Sequence, residues 1–204
     1  MKNIEKTDIR IVHTKAKIFN ALDKLLKEKP FSKITVIDIC EKAHVNRMTF
    51  YNHYDDKYDL LDESIQLFLK YLDNTYTSKT SALNIEMKTS PYECFKILAE
   101  ILVDYVYDNE KVIYNLTSNQ EDEIATFMIK RAIYDSALKI VTDSNVESVN
   151  GFPISLIISF FSGGASSLFA YWLSNISSIS KEVFTSYLCR IIKAVIDTEV
   201  LKQL

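Results

Sequence analysis

The sequence predicts an all-α protein, with a small N-terminal head of three helices and a larger C-terminal bundle of helices. Only 3 Gly and 3 Pro occur among 204 residues, which argues against a β fold with many turns. Apolar residues recur at three- and four-residue spacing along most of the chain, as they do on the buried face of a helix. Hydrophobic residues make up 48% and charged residues 25%, so we expect a folded core.

The head contains three predicted helices, the first of them over residues 7–28 and ended by Pro30. Thr35 is a hydroxyl N-cap residue in front of a second, short apolar helix. That helix must turn at His44, and Asn46 is an N-cap residue for a third helix that follows at once. Helices this short are not stable alone, because nucleation costs more than one or two turns return. The layout is typical of a helix-turn-helix, which offers its second helix to a DNA major groove.

Six further helices are predicted after the head, which gives nine helices and no strand. The first of the six is capped by Asp55 or Asp56 and runs to about residue 76. The polar segment 77–91 is interpreted as a linker or a frayed helix, and is the best candidate for a loop between the two parts. The remaining helices are predicted over residues 92–108, 111–116, 120–142, 153–175 and 181–202.

Charge is distributed unevenly along the chain. Residues 1–57 carry 12 Lys and Arg against 8 Asp and Glu, a net charge of +4, whereas residues 58–204 carry 12 against 19, a net charge of −7. A basic head on an acidic body is typical of a DNA-binding end joined to a part that avoids DNA. The three cysteines are far apart and the N-terminus is charged, so we expect a cytoplasmic protein. Serines and glycines interrupt the longest apolar run, residues 154–173, so no membrane span is expected.

Residues 35–60 resemble the DNA-binding domain of the TetR/AcrR family of bacterial transcription regulators. His44 and Met48 depart from the family pattern, since both stand where glycine is common. A positive φ is cheapest for glycine, but histidine is among the more tolerated alternatives. A weaker resemblance, in helix order and length, covers the whole chain. The matching positions are Thr35, Ile39, Cys40, Ala43, Val45, Asn46, Thr49, Phe50, Tyr51, His53, Tyr54, Lys57 and Leu60.

The predicted DNA-binding residues lie on or beside the second helix of the motif. Arginine can bond guanine, asparagine can bond adenine, and threonine can contact a thymine methyl group or a phosphate. The resemblance implies phosphate contacts for Tyr51, His53 and Lys57, while Phe50 and Tyr54 are expected in the core. The alternative is a helix-turn-helix used only for protein packing. The predicted set is Thr35, Asn46, Arg47, Met48, Thr49, Tyr51, Asn52, His53 and Lys57.

The last two helices are predicted to form a dimer interface. The final helix is apolar on most sides, which indicates one face inside the subunit and one against a partner. Its neighbour carries a row of small residues that permits close approach, although ordinary packing within one chain is the alternative. The resemblance implies a dimer built as a four-helix bundle, which would match a palindromic operator. The predicted residues are Ser159, Gly163, Ser166, Ala170, Tyr187, Leu188, Ile191, Ile192 and Val195.

A ligand pocket is predicted among the aromatic residues of the body, with a plain aromatic core as the alternative. No GxxxxGK, HExxH or GxSxG motif occurs, and all three histidines lie in the head, so no enzyme activity, metal or cofactor is expected. The predicted pocket residues are Tyr105, Tyr114, Phe127, Tyr134, Phe160 and Trp172.

Two functions remain open at this level. The first is a ligand-responsive repressor, in which residues 1–57 bind DNA and residues 58–204 bind ligand and dimerise. Its partners would be a double-stranded DNA operator, a second copy of the chain and an unidentified small-molecule effector, with no membrane. The second is a co-regulator that acts through a protein partner, because residues 161–175 resemble the regulators of some dihydroxyacetone-kinase operons.

Overall fold

The protein is described by a computed structural model that covers residues 2–86, 89–117, 123–143, 148–149 and 151–197. Within these ranges the helices confirm the all-α class. They are α1 Lys2–Leu26, α2 Val36–Ala43, α3 Arg47–Tyr51, α4 Lys57–Leu83, α5 Pro91–Asp108, α6 Glu110–Thr117, α7 Glu123–Asp143, α8 Ile154–Ser174 and α9 Lys181–Asp197.

A short strand pair between α7 and α8 corrects the prediction of no strand. β1 Ser148–Val149 pairs with β2 Phe152–Pro153 in antiparallel fashion. Gly151 lies in the connection with a φ of 82°, a conformation that glycine adopts without the steric cost of a side chain. Each strand is two residues long, so helical periodicity in the flanking sequence concealed the pair.

The chain divides into two compact units. The first consists of residues 1–65 and 111–126, and the second consists of residues 66–110 and 127–204. Helix α4 supplies residues to both units.

The first unit is built on the apolar face of α1, where Ile18 and Leu22 are buried. A 3₁₀ turn, Phe31–Lys33, follows α1 and buries its phenylalanine. From α6, the Asn115 side-chain amide donates a hydrogen bond of 2.7 Å to the Leu26 carbonyl. That bond satisfies one of the carbonyls that the end of a helix leaves without an intrahelical partner.

Helix α4 is longer than predicted and extends to Leu83, so the first half of segment 77–91 is helical and not a linker. Tyr76 and Thr80 are both buried, which keeps this polar stretch helical. The helix ends where Asn84 adopts a φ of 52°, and the Ile85 N–H then bonds back to the Thr80 carbonyl at 3.0 Å. This is a left-handed C-cap formed by asparagine in place of glycine.

The second unit has an aromatic core around α8 and α9. Trp172 is 0% exposed, and its ring stacks on Phe184 with centroids 4.4 Å apart. The Trp172 indole N–H donates to the Ile179 carbonyl at 2.9 Å, which satisfies its one polar atom. Lys181, at the start of α9, pairs with Asp104 of α5 at 2.9 Å. These contacts fix the inner faces of α8 and α9 within the chain.

Helix α8 is the one described helix that is long and apolar enough, by length and composition, to cross a membrane. One such helix is weak evidence for a membrane span, because the core helix of a soluble protein passes the same test.

Candidate nucleic-acid interface

The start of α2 is fixed by a reciprocal pair of hydrogen bonds. The Thr35 hydroxyl accepts from the Asp38 N–H at 3.2 Å, and the Asp38 carboxylate accepts from the Thr35 N–H at 2.8 Å. This is a capping box, and the Lys29 ammonium pairs with the same carboxylate at 2.9 Å. Lys29 and the Thr35 N–H together lower the pKa of Asp38 from 3.8 to about 2.

We expect the capping box to make stability depend on pH in the acid range. The pKa of Asp38 is lower in the folded chain than in the unfolded chain, so ionised Asp38 stabilises the folded chain above about pH 4. This stabilisation is lost as the pH falls towards 2. Asp38→Asn should therefore cost about 1 kcal/mol near neutral pH, as capping substitutions do. Urea unfolding followed by circular dichroism checks this, and a cost that is equal at pH 6 and pH 2 would contradict it.

The turn between α2 and α3 is made without glycine. His44 adopts φ 56° and ψ 44°, and the following Val45 N–H bonds to the Cys40 carbonyl at 3.0 Å. Asn46 then caps α3, because its side-chain oxygen accepts from the Thr49 N–H at 2.7 Å. The predicted positions of both N-caps and of the turn are therefore observed, and His44 serves where glycine was expected.

Helix α3 presents polar side chains outward. Phe50 is fully buried and packs against Tyr54, with ring centroids 5.6 Å apart, as the sequence predicted for both residues. Arg47, Met48, Tyr51 and Asn52 are exposed, whereas Thr49 and His53 are half-buried. A short helix that is anchored on one side by Phe50 and has mostly polar exposed side chains, with the apolar Met48 among them, has the form that a major groove accepts.

Lys57 lies in a different setting from the exposed residues of α3. Its ammonium donates to the Phe31 carbonyl at 2.9 Å and lies 4.5 Å from the centre of the Phe31 ring. The Tyr58 ring is 5.2 Å away on another side. Lys57 therefore holds the Phe31–Lys33 turn against the start of α4, and its phosphate contact remains a prediction.

A salt titration of DNA binding distinguishes the two roles of Lys57. If Lys57 contacts a phosphate, Lys57→Ala should weaken binding to every duplex and lower the slope of log affinity against log salt by about 0.9. Lys24→Ala, an exposed lysine of the same unit, is the matched control and should leave the slope unchanged. An unchanged slope in Lys57→Ala, together with a lower unfolding midpoint, would show that Lys57 only holds the turn.

The predicted dimer residues divide between two environments. On α8, Ser159, Gly163 and Ala170 are exposed, and Ser166 is half-buried. Val195 is the one predicted residue whose side chain lies outside the described part of the structure.

On α9 the predicted residues face in opposite directions. Tyr187 and Ile191 are exposed, whereas Leu188 and Ile192 are buried inside the chain. Helix α9 packs against α5, which accounts for the burial of its inner side. Placing Ile192 at a dimer interface is therefore wrong for direct contact, because its side chain is only 4% exposed within one chain.

An apolar groove of about 920 Å³ lies between α8 and α9. Leu168, Tyr171, Tyr187 and Ile191 line it, with Arg190 and Lys193 at its edge. Leu168 and Tyr171 are not among the residues predicted from the sequence to form the interface. Tyr171 lies two turns after Gly163 and Gly164, and this spacing could have identified it.

The six predicted pocket residues have different environments. Trp172 is a core residue, and Tyr105 packs on Phe68 with ring centroids 4.2 Å apart. Phe127 and Phe160 are 62% and 63% exposed, so neither side chain belongs to an aromatic core within one chain. Tyr134 is half-buried, and Tyr114 is exposed and belongs to the first unit. A ligand site formed by these residues remains a prediction.

Two family descriptions match this chain. Residues 18–64 match the description "Bacterial regulatory proteins, tetR family", and residues 93–194 match "Transcriptional regulator C-terminal region". The second match covers half of the chain. The protein belongs to the TetR family. The family is one of bacterial transcription regulators, which are not enzymes.

Known proteins similar to this TetR-family chain agree with the assignment. An uncharacterized HTH-type transcriptional regulator, YxbF of Bacillus subtilis, is 38% identical over 63 residues, which are 30% of this chain and 17% of that protein. The transposon Tn10 TetC protein of Escherichia coli is 27% identical over 121 residues, 59% of this chain and 57% of that one. The chain thus matches less than two thirds of the length of either relative.

A solved structure of a TetR transcriptional regulator from Streptococcus agalactiae shares the fold. Its TM-score is 0.66 at 22% identity, and the alignment covers 93% of this chain and 99% of that one.

Proposed function

We propose that this TetR-family chain is a ligand-responsive repressor that binds a palindromic DNA operator as a homodimer. The observation that carries the proposal is α3, which buries Phe50 and leaves Arg47 and Tyr51 exposed, while its C-cap residue Asn52 is also exposed. Arg47 would bond a guanine and Asn52 an adenine. Residues 1–57 would bind DNA, and residues 58–204 would bind the effector and dimerise.

The phosphate contacts in this proposal come from residues beside the outward face. Tyr51, His53 and Lys57 match family positions that contact phosphates, while Thr35 and Asn46 stand at the N-termini of α2 and α3. Contacts of this kind set the register of a protein on DNA without reading its sequence. In this proposal the base edges are read by Arg47 and Asn52.

Dimerisation is proposed through the outer faces of α8 and α9. The exposed small residues of α8 allow a second α8 to approach closely, and the groove beside them is mainly apolar. A face of this kind is stabilised when a partner removes it from water. A two-fold dimer would place two copies of α3 on two operator half-sites. Localisation in the cytoplasm is part of the same proposal.

A ligand-responsive repressor requires that effector binding weakens DNA binding, and that DNA binding weakens effector binding. Thermodynamic linkage makes the effect reciprocal. An effector that weakens DNA binding by a given factor must bind the DNA-free chain more tightly than the DNA-bound chain by that same factor. Helix α4 begins at Lys57 and runs without glycine or proline to Leu83, which makes it the natural element to transmit such a change.

A selection from random duplex DNA with the purified chain alone tests this function. The proposal expects enrichment of an inverted repeat. A second candidate is a co-regulator that acts through a protein partner, favoured by the resemblance of residues 161–175 to the dihydroxyacetone-kinase operon regulators. The absence of any enriched duplex would contradict the repressor and favour the co-regulator.

A further inference from the structure

Met48 is the most exposed of the large apolar side chains in the described residues. Its side chain is 75% exposed, at the second position of α3. A single exposed apolar residue is ordinary on a protein surface, so exposure alone carries no argument. The position of Met48 on α3 is what matters.

The direction of Met48 follows from the anchors of α3. Asn46 caps the helix and Phe50 is fully buried, so the helix cannot rotate about its axis without losing both contacts. Successive residues of a helix are separated by about 100°, which places Met48 about 160° from Phe50. Met48 therefore points almost directly away from the core of the first unit. Arg47 and Asn52 lie on either side of it and are exposed.

The edges of the base pairs in a major groove offer an apolar side chain one specific partner. Thymine carries a C5-methyl group there, while the other base edges present hydrogen-bond donors and acceptors. The methionine side chain is unbranched and has a polarisable thioether, so it can adapt to the position of a methyl group. It has no strong donor or acceptor with which to read the polar edges.

We propose that Met48 is a specificity-determining residue that packs against a thymine methyl group in each operator half-site. This inference rests on the proposed DNA-binding function and deepens it by naming the base feature that is read. Arg47 and Asn52 would read polar base edges, whereas Met48 would supply the apolar part of the code.

The experiment uses the best duplex selected from a random library by the wild-type chain. Each thymine of one half-site, on both strands, is replaced in turn by deoxyuridine, which lacks only the methyl group and keeps the base pair. At one position we expect the affinity to fall about fourfold, the equivalent of about 0.8 kcal/mol for one buried methyl-sized group. Fluorescence anisotropy at a fixed salt concentration measures the change.

Three variants of Met48 complete the test. Met48→Leu keeps an apolar side chain of similar volume. Replacing thymine by deoxyuridine at that position should therefore lower its affinity as it does for the wild type. Met48→Ala and Met48→Gln should bind the thymine and deoxyuridine duplexes equally. Because Met48 is exposed, all three variants should have the unfolding midpoint of the wild type.

The outcomes separate this inference from the proposed function. Two results would show that Met48 does not read a methyl group. Either deoxyuridine leaves the wild-type affinity unchanged at every position, or it lowers the affinity of Met48→Ala as much as that of the wild type. In both cases the chain still binds DNA, and only this inference is overturned. If the wild-type chain enriches no duplex, the proposed function and this inference are overturned together.

Discussion

Ile191→Glu is expected to convert the proposed dimer into monomers. Ile191 is 41% exposed within one chain and lies in the apolar groove between α8 and α9. In a two-fold dimer the substitution would enter the interface twice. Burying a charge without a partner costs about 3–5 kcal/mol, so the dimer dissociation constant should rise more than about 100-fold. Analytical ultracentrifugation at micromolar concentration measures the effect.

Two matched substitutions make the interface test specific. Leu67→Glu changes an exposed leucine of α4 and should leave the dimer intact. Ile192→Glu changes the adjacent, buried residue and should destabilise the folded chain instead of separating two folded chains. A wild type that sediments as a monomer, or an Ile191→Glu variant that remains a dimer, would contradict the proposed interface.

Trp172→Ala should be among the most destabilising single substitutions in the second unit. The side chain is 0% exposed, stacks on Phe184 and donates its indole N–H to the Ile179 carbonyl. Removing such a residue costs about 3–5 kcal/mol, because the lost contacts leave a cavity. Urea unfolding of the full chain measures this cost.

Tyr71→Ala is the control for the Trp172 substitution. Tyr71 is an exposed aromatic residue of the same unit, so its removal should cost less than about 1 kcal/mol. A small cost for Trp172→Ala would contradict its role in the core. It would instead favour the sequence-based prediction that Trp172 lines a ligand pocket.

The sequence predicted the local features of the head well, because short-range chemistry determines them. Thr35 and Asn46 are N-caps, and each carries a side-chain oxygen at the position where a helix leaves N–H groups without partners. His44 makes the predicted turn although glycine would be cheaper there. Phe50 and Tyr54, which were expected in the core, are both buried.

The tertiary environment of individual side chains could not be predicted from periodicity. Helix α9 is apolar on most sides, so the pattern gave no reason to separate Ile191 from Ile192, although α5 covers only the second. Lys57 matched a phosphate-contact position, yet its ammonium also contacts the carbonyl of Phe31, 26 residues earlier in the chain. Only long-range packing determines such choices.

The central claim is that the purified chain binds one DNA sequence in preference to others without a protein partner. The most direct measurement is a binding titration of the wild-type chain against the selected duplex and a scrambled duplex of the same composition, at one salt concentration. We expect two chains per selected duplex, half-site centres about 34–36 Å apart and an affinity ratio of at least about 10³. Equal affinities for the two duplexes would contradict it.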